Sequence, residues 1–196
     1  MVVLTTNQTL EQLKAPVFAA LNVGATPIEI KEAIYQCVPY LGFPKTLNVI
    51  QQANEVFKMM NITLPVESQK TVTEETRFDE GLKVQKSIFG DVIDKMHQTA
   101  PGNQKHIQNY LSAFCFGDIY TRGCLDLKIR ELLTLCVLSA LGGCESQVKS
   151  YVFGNLKVGN DKNTLIAAVT QCMPYMGFPH TLNALGCINE VIPENK

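Results

Sequence analysis

The segment CVPYLGFPKTLN, Cys37 to Asn48, returns almost unchanged as CMPYMGFPHTLN, Cys172 to Asn183. The register holds outside that block. Gln12 answers Gln147, Lys14 answers Lys149, Val17-Phe18 answers Val152-Phe153, and Asn54-Glu55-Val56 answers Asn189-Glu190-Val191. About twenty of roughly fifty aligned positions are identical, more than a shared helical pattern supplies, so the chain reads as a tandem duplication. The copies are unequal. A long helical stretch, Asp126 to Leu141, precedes the second block, whereas Val2 to Thr6 has room for only the last turn of an equivalent helix. The expected organisation is half a unit over 1–59, a linker over 60–73 and a complete unit over 74–196. An incomplete first unit is expected to be completed by another subunit, making the protein a homo-oligomer, or by packing of residues 9–57 against 127–192 of the same chain.

Every segment predicts helix, and no stretch alternates long enough to argue a strand. Thr9 with Gln12, and Thr26-Pro27-Ile28-Glu29, have the spacing of capping boxes. Pro39 and Pro174 are expected to kink the helices that carry them. Thr71 to Glu74 is expected to cap a helix running through Phe89. Pro101 is expected to begin one through Cys115 with Ile107, Tyr110, Leu111 and Phe114 inward. Asp126 is placed to cap the most apolar helix, ended by Gly142-Gly143. The fold class is all-α.

Formal net charge is −1 and no Lys/Arg run stands out, which argues against nucleic acid as a partner. The longest apolar run, Leu132 to Leu141, is far short of the ~20 residues that cross a bilayer. With no signal pattern at the N-terminus, a cytoplasmic protein without membrane association is expected. The seven cysteines include no C-x-x-C pair and are expected to be reduced thiols. No ligand cluster or Gly-rich phosphate loop suggests a metal or organic cofactor.

The ordered blocks RFDEGLKVQKSIFGD (Arg77–Asp91), LDLKIRELLTL (Leu125–Leu135), ALGG (Ala140–Gly143), NLKVG (Asn155–Gly159) and QCMPYMGFPHTLNAL (Gln171–Leu185) resemble the carboxymuconolactone decarboxylase family. The resemblance spans most of residues 74–192, and its C-terminal half recurs over 9–57. It implies the helical fold of the alkyl hydroperoxidase D type, trimeric or hexameric assembly, and one of two chemistries on a small-molecule substrate: lactone decarboxylation or thiol peroxidation. The peroxidase pattern of Glu, C-x-x-C and a later His maps onto Glu131, with one extra residue between, and Cys144. Gln147 replaces the second Cys and Tyr151 the His. Glu145 matches one Glu of the decarboxylase pattern, whose His position is again Tyr151.

The candidates follow. Glu131, in an apolar helix, is expected to hold its proton tightly and act as acid or base, the competing expectation being exposure beside Lys128 and Arg130. Cys144, at a helix start, is expected to have a lowered pKa and to attack peroxide. Tyr151, with an ordinary pKa near ~10, is a hydrogen-bond donor rather than a base. His180 is placed to meet an acidic substrate, and Glu145 is a second substrate-binding candidate. Cys115 is a core residue or a second pocket thiol, and His106 a surface or interface residue. The leading expectation is cofactor-free acid–base chemistry on a carboxylated, lactone-type substrate. A one-cysteine thiol peroxidase and a non-catalytic oligomeric ligand binder are the alternatives.

Overall fold

The computed structural model describes residues 1–194, and every regular element among them is helical. The chain divides into two compact units. One joins Met1–Glu67 with the segment from Lys128 onward, and the other is Ser68–Leu127. The first therefore takes in both copies of the repeated segment, and the chain leaves it once and returns.

The first unit contains α1 (Val2–Asn7), α2 (Leu10–Asn22), α3 (Pro27–Tyr35), α4 (Val38–Leu41) and α5 (Phe43–Met59). After the excursion it contains α9 (Leu127–Leu141), α10 (Glu145–Lys157) and α11 (Lys162–Val191). Leu13, Val17, Ile30, Ile34, Val49, Ala53, Val56 and Phe57 form one apolar core. Removing such side chains from water is the main stabilising contribution, roughly 1.5–3 kcal/mol for each large one. A second cluster gathers Val2, Cys37, Cys136 and Val137, with Tyr40, Leu133 and Cys172 against it.

Local chemistry sets the helix ends. Thr26 accepts from the Glu29 amide while the Glu29 carboxylate accepts from the Thr26 amide, so that capping box forms as expected. The Thr9 box does not form. Thr9 sits at ψ 70, and its hydroxyl turns back to donate to the Leu4 carbonyl at 3.4 Å. Pro39 does not kink a continuous helix either. The chain turns after Tyr35, and Pro39 lies in the first turn of α4, where its missing N–H costs nothing. Pro174 does lie within a helix, α11, whose break falls three residues later at Gly177 (φ 77, ψ 169). Gly42 has nearly the same conformation (φ 82, ψ 162) between α4 and α5.

The second unit contains α6 (Arg77–Phe89), α7 (Val92–Thr99), α8 (Lys105–Tyr110) and a π-helical segment, Leu111–Tyr120. Here the α6 cap expected at Thr71 to Glu74 lies upstream of the helix, whose first residue is Arg77. The helix expected from Pro101 starts instead at Lys105. Its inward stripe does not form on α8, none of whose residues is buried, and the buried face begins only in the π-helical segment, whose wider turns follow a different period. Ile107 and Tyr110 are exposed, and Ser112, Cys115, Phe116, Ile119 and Tyr120 are buried. The crossing of α6 with this segment is a backbone contact. A Cβ on Gly81 would lie 2.0 Å from the Ser112 carbonyl oxygen, and one on Gly117 would lie 2.0 Å from that of Arg77. Among the described residues no helix is long and apolar enough to cross a membrane.

Candidate active site

The helix α9 brings two charged neighbours, Arg130 and Glu131, into the first unit with no exposed surface on either. Of the two expectations for Glu131, the inward one is observed. Such burial requires compensating partners, because a charge removed from water without them is costly. Arg130 finds them on α3 and the residue just after it. Its Nη2 donates to Glu32 Oε2 at 3.2 Å and its Nη1 to Gln36 Oε1 at 3.0 Å. Gln36 Nε2 then donates to Thr134 Oγ1 at 3.1 Å, and Thr134 Oγ1 to the Tyr40 hydroxyl at 3.4 Å. The Tyr40 and Tyr151 hydroxyls are 2.7 Å apart, with the rings edge to face at 5.9 Å.

This series has a direction. A guanidinium can only donate, so Gln36 presents its oxygen to Arg130 and its NH₂ to Thr134. Thr134 donates its proton toward Tyr40, and the Tyr40 and Tyr151 hydroxyls share a hydrogen bond that either can donate. Asn155 fixes the backbone beneath Tyr151: Nδ2 donates to the Tyr151 carbonyl at 2.7 Å and to the Glu131 carbonyl at 3.0 Å, tying α10 to α9.

Two turns earlier on α10, roughly 10 Å along its axis, Cys144 opens the helix. A cavity of about 10 Å³, the scale of one water, lies between Cys144, Ser139, Gly142, Glu145, His180 and Cys187. The His180 ring rests on Gly142, where a Cβ would meet its Cε1 at 2.4 Å. The structure thus assembles Cys144, Glu145 and His180 at one place, while Tyr151 belongs to the polar series and Glu131, buried on α9, is tied through its backbone carbonyl to Asn155. Cys115 and His106 belong to the second unit. Cys115 is buried in the π-helical segment, and His106 is exposed against Tyr110 on α8.

The thiolate expected at Cys144 is not supported. Its Sγ donates to the Leu138 carbonyl at 3.3 Å, and its pKa is raised, first by burial and then by Glu145 and Cys187. A helix start lowers a thiol pKa only where its positive end is not offset, and here Glu145 occupies the first turn.

Glu32, Gln36, Tyr40, Arg130 and Thr134 were not singled out from sequence. Glu32 and Gln36 flank apolar core positions at the i, i+4 spacing that marks one helix face, which is the signal that could have found them. Among the described residues no cluster of His, Cys, Asp and Glu suited to a metal occurs.

Comparison with known proteins identifies the family. The 4-carboxymuconolactone decarboxylase of Acinetobacter baylyi (strain ATCC 33305 / BD413 / ADP1) is 26% identical over 124 residues, covering 63% of this chain and 92% of that protein. The family model described as carboxymuconolactone decarboxylase family matches residues 1–55 and 105–190. The block Arg77–Asp91 lies between the two segments and outside both, so the family match does not extend over it. With matches on both sides of that block covering more than half its length, the chain belongs to the carboxymuconolactone decarboxylase family.

Proposed function

We propose that the protein is a decarboxylase-like enzyme that releases CO₂ from a small carboxylated, lactone-type substrate by acid–base chemistry of its own side chains. The observation that carries this reading is the buried hydrogen-bonded series that runs from Arg130 through Gln36, Thr134 and Tyr40 to Tyr151. In such a reaction the bond to the carboxylate carbon breaks, CO₂ leaves, and the electron pair passes into the conjugated lactone. Negative charge collects on the lactone carbonyl oxygen. A donor already oriented in a low-dielectric site stabilises that charge without reorganising, an effect of about 3–4 kcal/mol for one such donor elsewhere. Tyr151 is assigned that role, with Tyr40 holding its ring and hydroxyl. Glu131 is assigned as the acid that returns a proton to carbon, and it is reprotonated before the next turnover. His180 orients the substrate carboxylate from the side of α11.

The relative named above supports the substrate class by its name, 4-carboxymuconolactone decarboxylase. The raised pKa of Cys144 weighs against the peroxidase alternative. Homo-oligomeric assembly is part of the proposal. Phe43 and Leu47, and their repeat equivalents Phe178 and Leu182, are all more than half exposed on helices that begin FPKTL and FPHTL. Four large apolar side chains in paired positions suit a contact between copies.

The test is CO₂ release from 4-carboxymuconolactone by the wild type, Glu131→Gln and Tyr151→Phe. Glu131→Gln is expected to lose about 10²-fold or more in kcat, and Tyr151→Phe about 10- to 10³-fold. A wild-type protein inert toward carboxylated lactones, or a fully active Glu131→Gln, overturns the reading.

A further inference from the structure

The repeat register carries into the helices. α2 (Leu10–Asn22) and α10 (Glu145–Lys157) have the same 13-residue length and coincide at a displacement of 135 residues. Gly42 and Gly177 share one conformation at that displacement. Thr46 and Thr181 each donate to the glycine carbonyl four residues back, at 3.0 and 2.8 Å. Lys14 pairs with Glu55, and Lys149 with Glu190.

The first unit also holds an open groove of about 630 Å³, lined by Leu4, Thr9, Gln12, Pro16, Pro174 and Tyr175 among others. Moved by the same displacement, these six fall on Ser139, Cys144, Gln147, Tyr151, Pro39 and Tyr40. The groove is therefore the other copy's version of the candidate active site. One difference explains why it is open. Where the first site has the Tyr151 phenol packed edge to face on Tyr40, the groove has Pro16, and its wall residue Tyr175 is 52% exposed.

We propose that this groove is a second binding site, for a small neutral phenol that occupies the place of the Tyr151 ring and shares a hydrogen bond with the Tyr175 hydroxyl. The chain supplies the template for its ligand. In the duplicate site a phenol ring fills this position, at 5.9 Å from the paired tyrosine ring and with its hydroxyl 2.7 Å from the partner oxygen. The lining explains the neutrality: Leu4, Thr9, Gln12, Ala15, Pro16, Ala19, Pro174 and Tyr175 include no charged side chain. A carboxylate would be desolvated there without a cation, whereas a phenol presents an apolar body and one polar tip. Thr9 and Gln12 add further donors and acceptors along the wall. The inference rests on the repeat and not on the decarboxylase reading, so either stands if the other fails.

The probe is 4-fluorophenol observed by ¹⁹F NMR against the full-length protein. Saturable, one-site binding is expected, with a Kd on the order of 1 mM or tighter. Fluorobenzene, and Tyr175→Phe with 4-fluorophenol, should each bind about fivefold more weakly, the worth of one neutral hydrogen bond. Pro16→Tyr restores the missing ring and a helical N–H, and should abolish binding while circular dichroism shows an intact helical protein. Should that variant not fold, Ala19→Leu fills the groove from the next turn and should have the same effect. Absence of saturable binding to the wild type overturns the proposal. So does binding unchanged in the folded groove-filling variant, or a second copy of the chain protecting the groove from the probe.

Discussion

Replacing Glu32 by Gln removes one charge from the site and leaves its shape nearly unchanged. Glu32 and Arg130 have 2% and 0% of their side chains exposed and meet at 3.2 Å, so solvent screens the pair little. Breaking a buried pair by removing one partner costs about 3–5 kcal/mol, most of it the penalty on the remaining charge. For a chain of 150–250 residues each kcal/mol shifts Tm by about 2–4 °C, so a fall of roughly 6–20 °C is expected. Urea unfolding followed by circular dichroism should show the midpoint lowered at unchanged m-value. The double variant Glu32→Leu/Arg130→Met removes both charges and should recover most of the loss, since apolar replacement of a buried pair is often neutral or stabilising. A Glu32→Gln cost below ~1 kcal/mol would refute the reasoning, and so would a double variant as unstable as the sum of the singles.

Burial pushes the Cys37 thiol up to about 12, so the folded protein keeps it protonated where the unfolded chain does not. That contribution is complete below the ordinary thiol pKa and is lost as pH rises from about 9 toward 12, at ~1.4 kcal/mol per pH unit. Urea midpoints measured across this range should fall less steeply in Cys37→Ala, and mass spectrometry after brief alkylation at pH 8 should show exposed Cys124 modified and Cys37 intact. Gly177 holds the break in α11 at φ 77, and Gly177→Ala should cost about 1–3 kcal/mol by chemical denaturation, with Gly186→Ala, which meets nothing within 4 Å, near neutral.

The all-helical fold was legible because helix periodicity, the Thr26 box and the Gly stops are local signals, and local rules govern them. Where the reading failed, the deciding partner was distant or the geometry irregular. Thr9 had the right spacing for a cap, but its hydroxyl was taken by α1. The stripe placed on Ile107 and Tyr110 faces solvent, and the buried face begins only in the π-helical turns from Ser112, whose period α-helical spacing does not describe. Glu131 and Tyr151 were singled out because a family pattern pointed at their positions. Arg130 was passed over because it reads, beside Lys128 and Glu131, as part of a solvated face. Its partner Glu32 lies 98 residues away, and no local rule connects them. Cys144 was placed correctly at a helix start, but its thiol chemistry depended on burial and on Cys187, which sequence spacing does not reveal.

The sequence separation of Glu32 and Arg130 also bears on the order of events during folding. During synthesis Glu32 emerges long before its guanidinium exists, and the whole of Ser68–Leu127 is made between them. The N-terminal helices carry a polar stripe, Glu32 to Gln36 to Tyr40, that has nothing to bury against until α9 arrives. Closing so long a loop must precede any gain from the contact, which places it among the slower steps. The apolar core of α2, α3 and α5 has all its partners within the first 67 residues and can assemble ahead of it. Competence at the site would then be a late acquisition, reporting that both ends of the chain have met.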